Sequence, residues 1–258
     1  MRPPWIRTFH RAAAPARRLL CFPYAGGSAS YYFPLSAALS PAVQVLGVQY
    51  PGRQDRAAEP AIEDLGVLAD EIAGAAAADA EGAGPDSGRP RPRPVLFGHS
   101  MGALLAFETA RRLEEKYAAP PAGLIVSGMV PPGRRPALRL GTEDETTEDE
   151  IVEEFRLLRG IDPALLADPE LRALILPALR SDWRAVASYT PDPHAVLSCP
   201  ITVLTGQDDA LVDPDAAADW AALTTAGFSL RTFPGGHFYL DGFPPEVTAA
   251  VKAATFLA

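Results

Sequence analysis

The chain has 258 residues, 48% of them hydrophobic and 21% charged, with a formal net charge of −9. That is the composition of a globular protein large enough to bury a substantial core, and the negative balance argues against nucleic acid as a partner, because phosphates need basic surfaces. The two cysteines, Cys21 and Cys199, cannot make a disulfide framework. The four histidines (His10, His99, His194 and His237) are too scattered to suggest metal ligation, so neither a metal nor a cofactor is expected. No run approaches the ~18 apolar residues of a membrane span. The Arg-, Ala- and Pro-rich stretch from Met1 to Arg18 lacks the apolar centre of a secretory signal. A cytoplasmic protein without a membrane partner, acting as a monomer, is the expectation.

Taken in chain order, short apolar runs alternate with helical patterns. Arg18 to Phe22 and Val43 to Val48 read as strands, the first ending at Pro23-Tyr24-Ala25-Gly26-Gly27 and the second at Tyr50-Pro51-Gly52. Ile62 to Ala78 carries apolar residues at helical spacing. Gly82 to Pro94 is a loop rich in Gly, Pro and Arg. Pro94 to Phe97 is a third strand, and Met101 to Tyr117 a helix with Leu104, Leu105, Phe107 and Ala110 near a 3.6-residue period. Gly123 to Ser127, Ile201 to Thr205 and Phe228 to Phe233 are further strands, and Pro244 to Phe256 is a closing helix opened by prolines. Such alternation implies βαβ units and a mostly parallel sheet with helices on both faces. Residues 131–189 break the alternation with no strand signal and two helix candidates, Glu148 to Leu158 and Pro169 to Tyr189. The expectation is one domain over residues 1–258 with a helical lid insertion at 131–189, placed to reach the strand ends that carry ligands.

Gly98-His99-Ser100-Met101-Gly102 matches G-x-S-x-G. A chain this long gives roughly 0.1 chance matches to three such positions, so the context decides: a buried strand leads in and an amphipathic helix leads out. That is the setting of a nucleophile elbow in the α/β-hydrolase fold, where the serine Oγ is lifted above the sheet at a helix N-terminus. Ser100 is the candidate nucleophile, and the Met101 N–H faces the position an oxyanion would take. His99, inside the elbow, is assigned to packing.

A serine needs a base, and in this fold the acid and then the histidine follow it in sequence. His194 lies in a turn-rich stretch before a strand. His237 lies in Pro234-Gly235-Gly236-His237-Phe238, just after the last strand, and is the candidate base. The acid should come from Gly206 to Asp213. Spacing does not choose between Asp208 and Asp209, while Asp213, before Pro214 and a helix, reads as an N-cap. The glycine-rich turn from Phe22 to Ser28 is the candidate source of a second oxyanion donor.

These motifs together resemble the type II thioesterases of polyketide and nonribosomal peptide pathways. Leu19-Leu20-Cys21-Phe22-Pro23-Tyr24-Ala25-Gly26-Gly27-Ser28-Ala29 is similar to that family's opening strand and loop, with Tyr24 where the family often has His. Tyr50-Pro51-Gly52-Arg53, the elbow, Leu179-Arg180-Ser181-Asp182 with Tyr189, Gly206-x-x-Asp209-x-x-Val212 and Gly236-His237-Phe238 complete the likeness. The resemblance implies Asp209 as the acid and Ala25 as the second oxyanion donor. It implies an acyl-carrier-protein thioester as substrate, with the acyl chain under the lid, and an editing or releasing role. Tyr24, Gly26 and Phe238 are the candidate substrate-binding positions. Arg53, Arg56, Arg134 and Arg135 are candidates for docking an acidic carrier. The acidic run from Glu143 to Glu154 reads as a solvated helix face, and Leu157, Leu158, Leu171 and Leu174 could line an acyl channel or simply pack. Two other readings compete: a carboxylesterase or lipase acting on small esters, and a binding protein that has lost catalysis.

Overall fold

The apolar runs fold into a seven-stranded sheet. A computed structural model describes residues 5–12, 17–81, 91–134, 146–158 and 168–257. The strands are β1 (Ile6–Thr8), β2 (Arg17–Phe22), β3 (Val43–Val48), β4 (Val95–His99), β5 (Gly123–Ser127), β6 (Ile201–Gly206) and β7 (Phe228–Phe233). Their order is β1-β3-β2-β4-β5-β6-β7, all parallel except β1, which runs antiparallel to β3. Every residue of β4 and β5 is buried, as expected for central parallel strands covered on both faces.

Alternation along each strand divides the core in two. Leu20, Phe22 and Leu96 face one side with α2 (Leu65–Glu81) and α3 (Met101–Tyr117). Leu19, Cys21, Val95 and Phe97 face the other with α1 (Phe33–Leu39) and α7 (Pro245–Leu257). A short α6 (Pro214–Ala218) follows β6, with Asp213 as its N-cap accepting the Asp215 N–H at 2.8 Å. Between β5 and β6 lie α4 (Glu148–Leu157) and α5 (Pro169–Ala187), with no strand among the described residues there. Thr147 and Glu150 form a capping box that opens α4, and Asp168 caps α5 ahead of Pro169. No helix among the described residues is long and apolar enough to cross a membrane.

Strand order reverses between β2 and β4: β3 lies beyond β2 on one side and β5 beyond β4 on the other. The crevice at such a switch point, outside the carboxyl ends of the strands, is where parallel α/β sheets take their ligands. The loop after β2 and the turn after β4 flank it.

The turn after β4 is held by close backbone contacts. A Cβ on Gly98 would overlap the Gly102 carbonyl, and one on Gly102 would overlap the Phe22 carbonyl at the end of β2. Helix, strand and neighbouring loop therefore meet where only hydrogens fit. Gly98→Ala and Gly102→Ala should each cost about 3 kcal/mol or more, which for a chain of this size lowers Tm by roughly 6–12 °C. Thermal unfolding followed by circular dichroism checks this, and an unchanged Tm in either variant contradicts the close packing.

Candidate active site

Ser100 occupies the corner between β4 and α3 with φ 54° and ψ −124°, a conformation L-residues rarely adopt. Its N–H donates to Ser127 O at 2.8 Å, and its carbonyl accepts the Ala103 N–H at 2.8 Å. The backbone is thus fixed from β5 on one side and α3 on the other. Met101 is the first residue of α3 and is buried; its N–H is one of the four a helix leaves without an intrahelical partner.

The loops after β6 and β7 bring two further residues to the same place. The Gln207 N–H donates to Phe233 O at 2.8 Å and the Asp208 N–H to Gly235 O at 2.9 Å. Gly206 packs so closely on Gly236 that a Cβ would overlap its carbonyl. With the loops joined in this way, His237 Nδ1 lies 3.1 and 3.0 Å from the two carboxylate oxygens of Asp209. Both side chains are almost fully removed from solvent. A carboxylate can only accept, so Nδ1 donates its N–H to Asp209. Nε2 is buried and has no hydrogen-bond partner among the described residues. Asp209 Oδ1 also accepts the Leu211 N–H at 2.9 Å, which holds the carboxylate in place. Asp208, by contrast, is exposed, so the tertiary structure separates two residues that spacing left equivalent.

Ser100 and His237 line one cavity with Tyr24, Ala25, Met101 and Phe238. It continues between Met129, Phe155, Leu158, Trp183, Val186 and Leu211. Tyr24 packs edge-on against Phe238 at 4.9 Å and Tyr31 at 5.0 Å between ring centroids. Burial, with a contribution from Asp241, pushes the Tyr24 hydroxyl up to about 12. Gly26 does not line this cavity; its φ is +77° and its N–H donates to Asp182 at 2.7 Å. His194 is exposed and does not line the cavity.

Several expectations need correction. Arg53 and Arg56 are not surface docking groups. Arg53 is buried and pairs with both oxygens of Asp182 at 2.6 and 2.7 Å; burial opposes its charge, but Asp182 outweighs this and holds the guanidinium above its ordinary value. Arg56 is buried over the Trp5 ring and bonded to Glu59 and Gln49 O. Arg134 is exposed and paired with Asp219, while Arg135 lies outside the described residues. Of the four leucines, only Leu158 lines the cavity; Leu157, Leu171 and Leu174 are exposed. Part of the acidic run, 143–145, lies outside the described residues, as does 82–90 of the Gly/Pro/Arg loop. Glu148, Asp149 and Glu150 crowd the first turn of α4, where a helix dipole favours anions, but Glu154 is buried in the cavity wall. Its position three residues after Ile151 and one before Phe155, both buried, was the signal that it faces inward.

A family model for the thioesterase domain matches residues 17–254. The chain is 49% identical over 250 residues to a probable cadicidin biosynthesis thioesterase of Streptomyces griseus, a match covering 97% of this chain and 65% of that relative. The chain thus spans slightly less than two thirds of that relative's length. It is 44% identical over 237 residues to thioesterase PikA5 of Streptomyces venezuelae, covering 92% of this chain and 80% of the relative. Among solved structures, the type II thioesterase BorB from the borrelidin biosynthetic cluster superposes with a TM-score of 0.84 at 41% identity, across 97% of each chain. The mostly parallel sheet and its strand-end site are those of the α/β-hydrolase fold.

His99 is fully buried beside these groups, its ring 4.9 Å from that of His237. Its Nδ1 lies 3.0 Å from Ser127 Oγ, which shares a 2.7 Å hydrogen bond with Tyr239. Burial, reinforced by His237, holds His99 well below its ordinary value of 6.5 despite the contact with Ser127. The folded protein therefore keeps His99 neutral where the unfolded chain takes up a proton, so stability is lost as pH falls below about 6.5, by up to about 1.4 kcal/mol per unit. Urea unfolding between pH 7.5 and 5.5 should show this loss, with a shallower slope in His99→Asn. Equal slopes in the two proteins would mean that His99 is not the group responsible.

Proposed function

The chain belongs to the thioesterase family, whose members are hydrolases, and from that premise we propose that it hydrolyses acyl thioesters carried on the phosphopantetheine arm of acyl or peptidyl carrier proteins. Its place would be polyketide or nonribosomal peptide biosynthesis, where it edits or releases acyl groups. The observation that carries the reading is one cavity holding a serine on a strained strand–helix corner beside a buried imidazole whose free nitrogen is backed by a carboxylate.

In this reading Ser100 Oγ gives its proton to His237 Nε2 and attacks the thioester carbonyl. The Oγ–C bond forms, the charge moves to the carbonyl oxygen, and collapse of the tetrahedral intermediate breaks the C–S bond. The thiol leaves with the proton held on His237. A water molecule then repeats the sequence on the acyl-serine and releases the acid. Asp209 fixes the tautomer and stabilises the imidazolium. The Met101 N–H, at the positive end of α3, and the Ala25 N–H stabilise the oxyanion, each donor worth about 3 kcal/mol. In the turn after β2 the Gly27 N–H is committed to Tyr24 O and the Gly26 N–H to Asp182, which favours Ala25 as the donor there. Tyr24 and Phe238, which line the cavity, form the entrance for the arm. The acyl chain lies between Met129, Phe155, Trp183 and Leu211, covered by α4 and α5, the described helices of the 131–189 insertion, acting as a lid within a single domain.

Free-thiol release from acyl-carrier-protein thioesters of varied acyl length tests this reading. Ser100→Ala and His237→Ala should fall to background. Asp209→Asn should lose about 10³–10⁴ in kcat, because the wrong tautomer is then held, whereas exposed Asp208→Asn should stay close to wild type. A more damaging Asp208→Asn would overturn the choice of acid. Turnover of small esters without turnover of carrier thioesters would move the enzyme to the ester hydrolases.

A further inference from the structure

Asp182 has no exposed surface and accepts three hydrogen bonds, yet it does not line the cavity. It sits on α5 beside Trp183, which does. Asp182 Oδ2 accepts the Gly26 N–H at 2.7 Å and Arg53 Nη1 at 2.6 Å, and Oδ1 accepts Arg53 Nη2 at 2.7 Å. Arg53 Nη1 also donates to Gly27 O at 3.2 Å. One turn earlier on α5, Leu179 lies over Gly26 so closely that a Cβ there would come within 2.5 Å of it. A single carboxylate of the helical insertion thus grips both the turn after β2 and the loop after β3.

A buried, bidentate pair of this kind has demanding geometry. Apolar residues of similar volume commonly stabilise a core equally well, so stability alone does not explain the arrangement. What these bonds do uniquely is fix a peptide plane. The Ala25–Gly26 peptide is rigid, and anchoring its N–H removes its freedom to rotate. The Ala25 N–H belongs to the neighbouring Tyr24–Ala25 peptide, whose own carbonyl accepts the Gly27 N–H at 2.9 Å, so the planes on both sides of the Ala25 Cα are anchored.

We propose that Asp182 is a positioning residue for the oxyanion loop: gripped by Arg53, it accepts the Gly26 N–H and keeps the adjacent Ala25 N–H aimed at the oxyanion, so that transition-state stabilisation depends on α5 being seated. The inference rests on Ala25 being the second oxyanion donor.

The test compares Asp182→Asn with wild type in two reactions, each normalised to titrated active sites: thioester hydrolysis, and phosphonylation of Ser100 by a fluorophosphonate, which uses the same oxyanion donors. Either orientation of the asparagine amide sets an N–H against Gly26 or Arg53. The expected result is a parallel fall of about 10- to 100-fold in kcat and in the phosphonylation rate, with KM within about twofold. Arg53→Met/Asp182→Leu leaves no lone buried charge, so it keeps the test decisive if the single variant does not fold. Arg184→Ala removes the exposed α5 pair with Glu63 and should leave both rates unchanged. Unchanged per-site rates in the double variant, a rise in KM alone, or an equal loss in Arg184→Ala would each overturn the proposal. If wild type is phosphonylated but cleaves no thioester, the substrate reading fails while the phosphonylation rates still decide the role of Asp182. A wild type whose Ser100 is not labelled overturns both.

Discussion

Ser100 is held in a conformation that its own side chain disfavours, and most of the site is built around that fact. The residue leaves β4 and enters α3 within a single step, at positive φ. The corner survives because Gly98 and Gly102 let β4, α3 and the end of β2 approach within backbone contact. Strain of this kind costs about 1–3 kcal/mol and persists only where the surroundings over-determine it. Here the determination comes from the sheet itself: the Ser100 N–H is bonded to β5, and the flanking strand is buried on both faces.

The same economy of space organises the rest of the site. The loops after β6 and β7 close on one another through backbone bonds and a glycine–glycine contact, and the closure presses Asp209 against His237. Gly128, at φ +59°, leaves room beside both His99 and His237. Two buried carboxylates that shape the site are held by specific partners: Asp209 by His237 and the Leu211 N–H, Asp182 by Arg53 and the Gly26 N–H. Where such groups are satisfied they rigidify their surroundings. His237 Nε2, His99 Nε2 and Trp183 Nε1 are buried without a hydrogen-bond partner among the described residues, and in the proposed mechanism the free Nε2 lone pair of His237 is what takes the serine proton.

Much of the framework was legible because its signals are local. Val43–Val48, Phe228–Phe233 and Met101–Tyr117 read correctly to the residue, since a buried parallel strand is a short apolar run and an amphipathic helix shows its period. Strand β1 was not seen. Three residues, Ile6 to Thr8, are too few to show a period, and only the exposed edge of β3 makes them a strand. Helix α1 was missed as well: it follows a tight aromatic turn and spans only seven residues. The acidic run concealed Glu154 for a related reason. Charge composition describes a whole segment, whereas the burial of one carboxylate depends on which helix face meets the cavity.

Arg53 and Asp182 mark where local reading ends. In sequence Arg53 is a charged residue after a turn and reads as surface; its partner is 129 residues away. The sequence by itself determined the parallel sheet, the elbow, the family likeness and the short set of residues from which a serine hydrolase could be built, because each is written in neighbouring positions. The family likeness pointed to Asp209, and the tertiary structure sets Asp209 rather than Asp208 against His237; only the tertiary structure decided that Leu158 alone of four leucines faces the cavity, and that a basic residue expected at the surface is buried in an ion pair behind the site. Those outcomes depend on the packing of loops and helices distant along the chain, where burial reverses what a charge or an apolar side chain does in water.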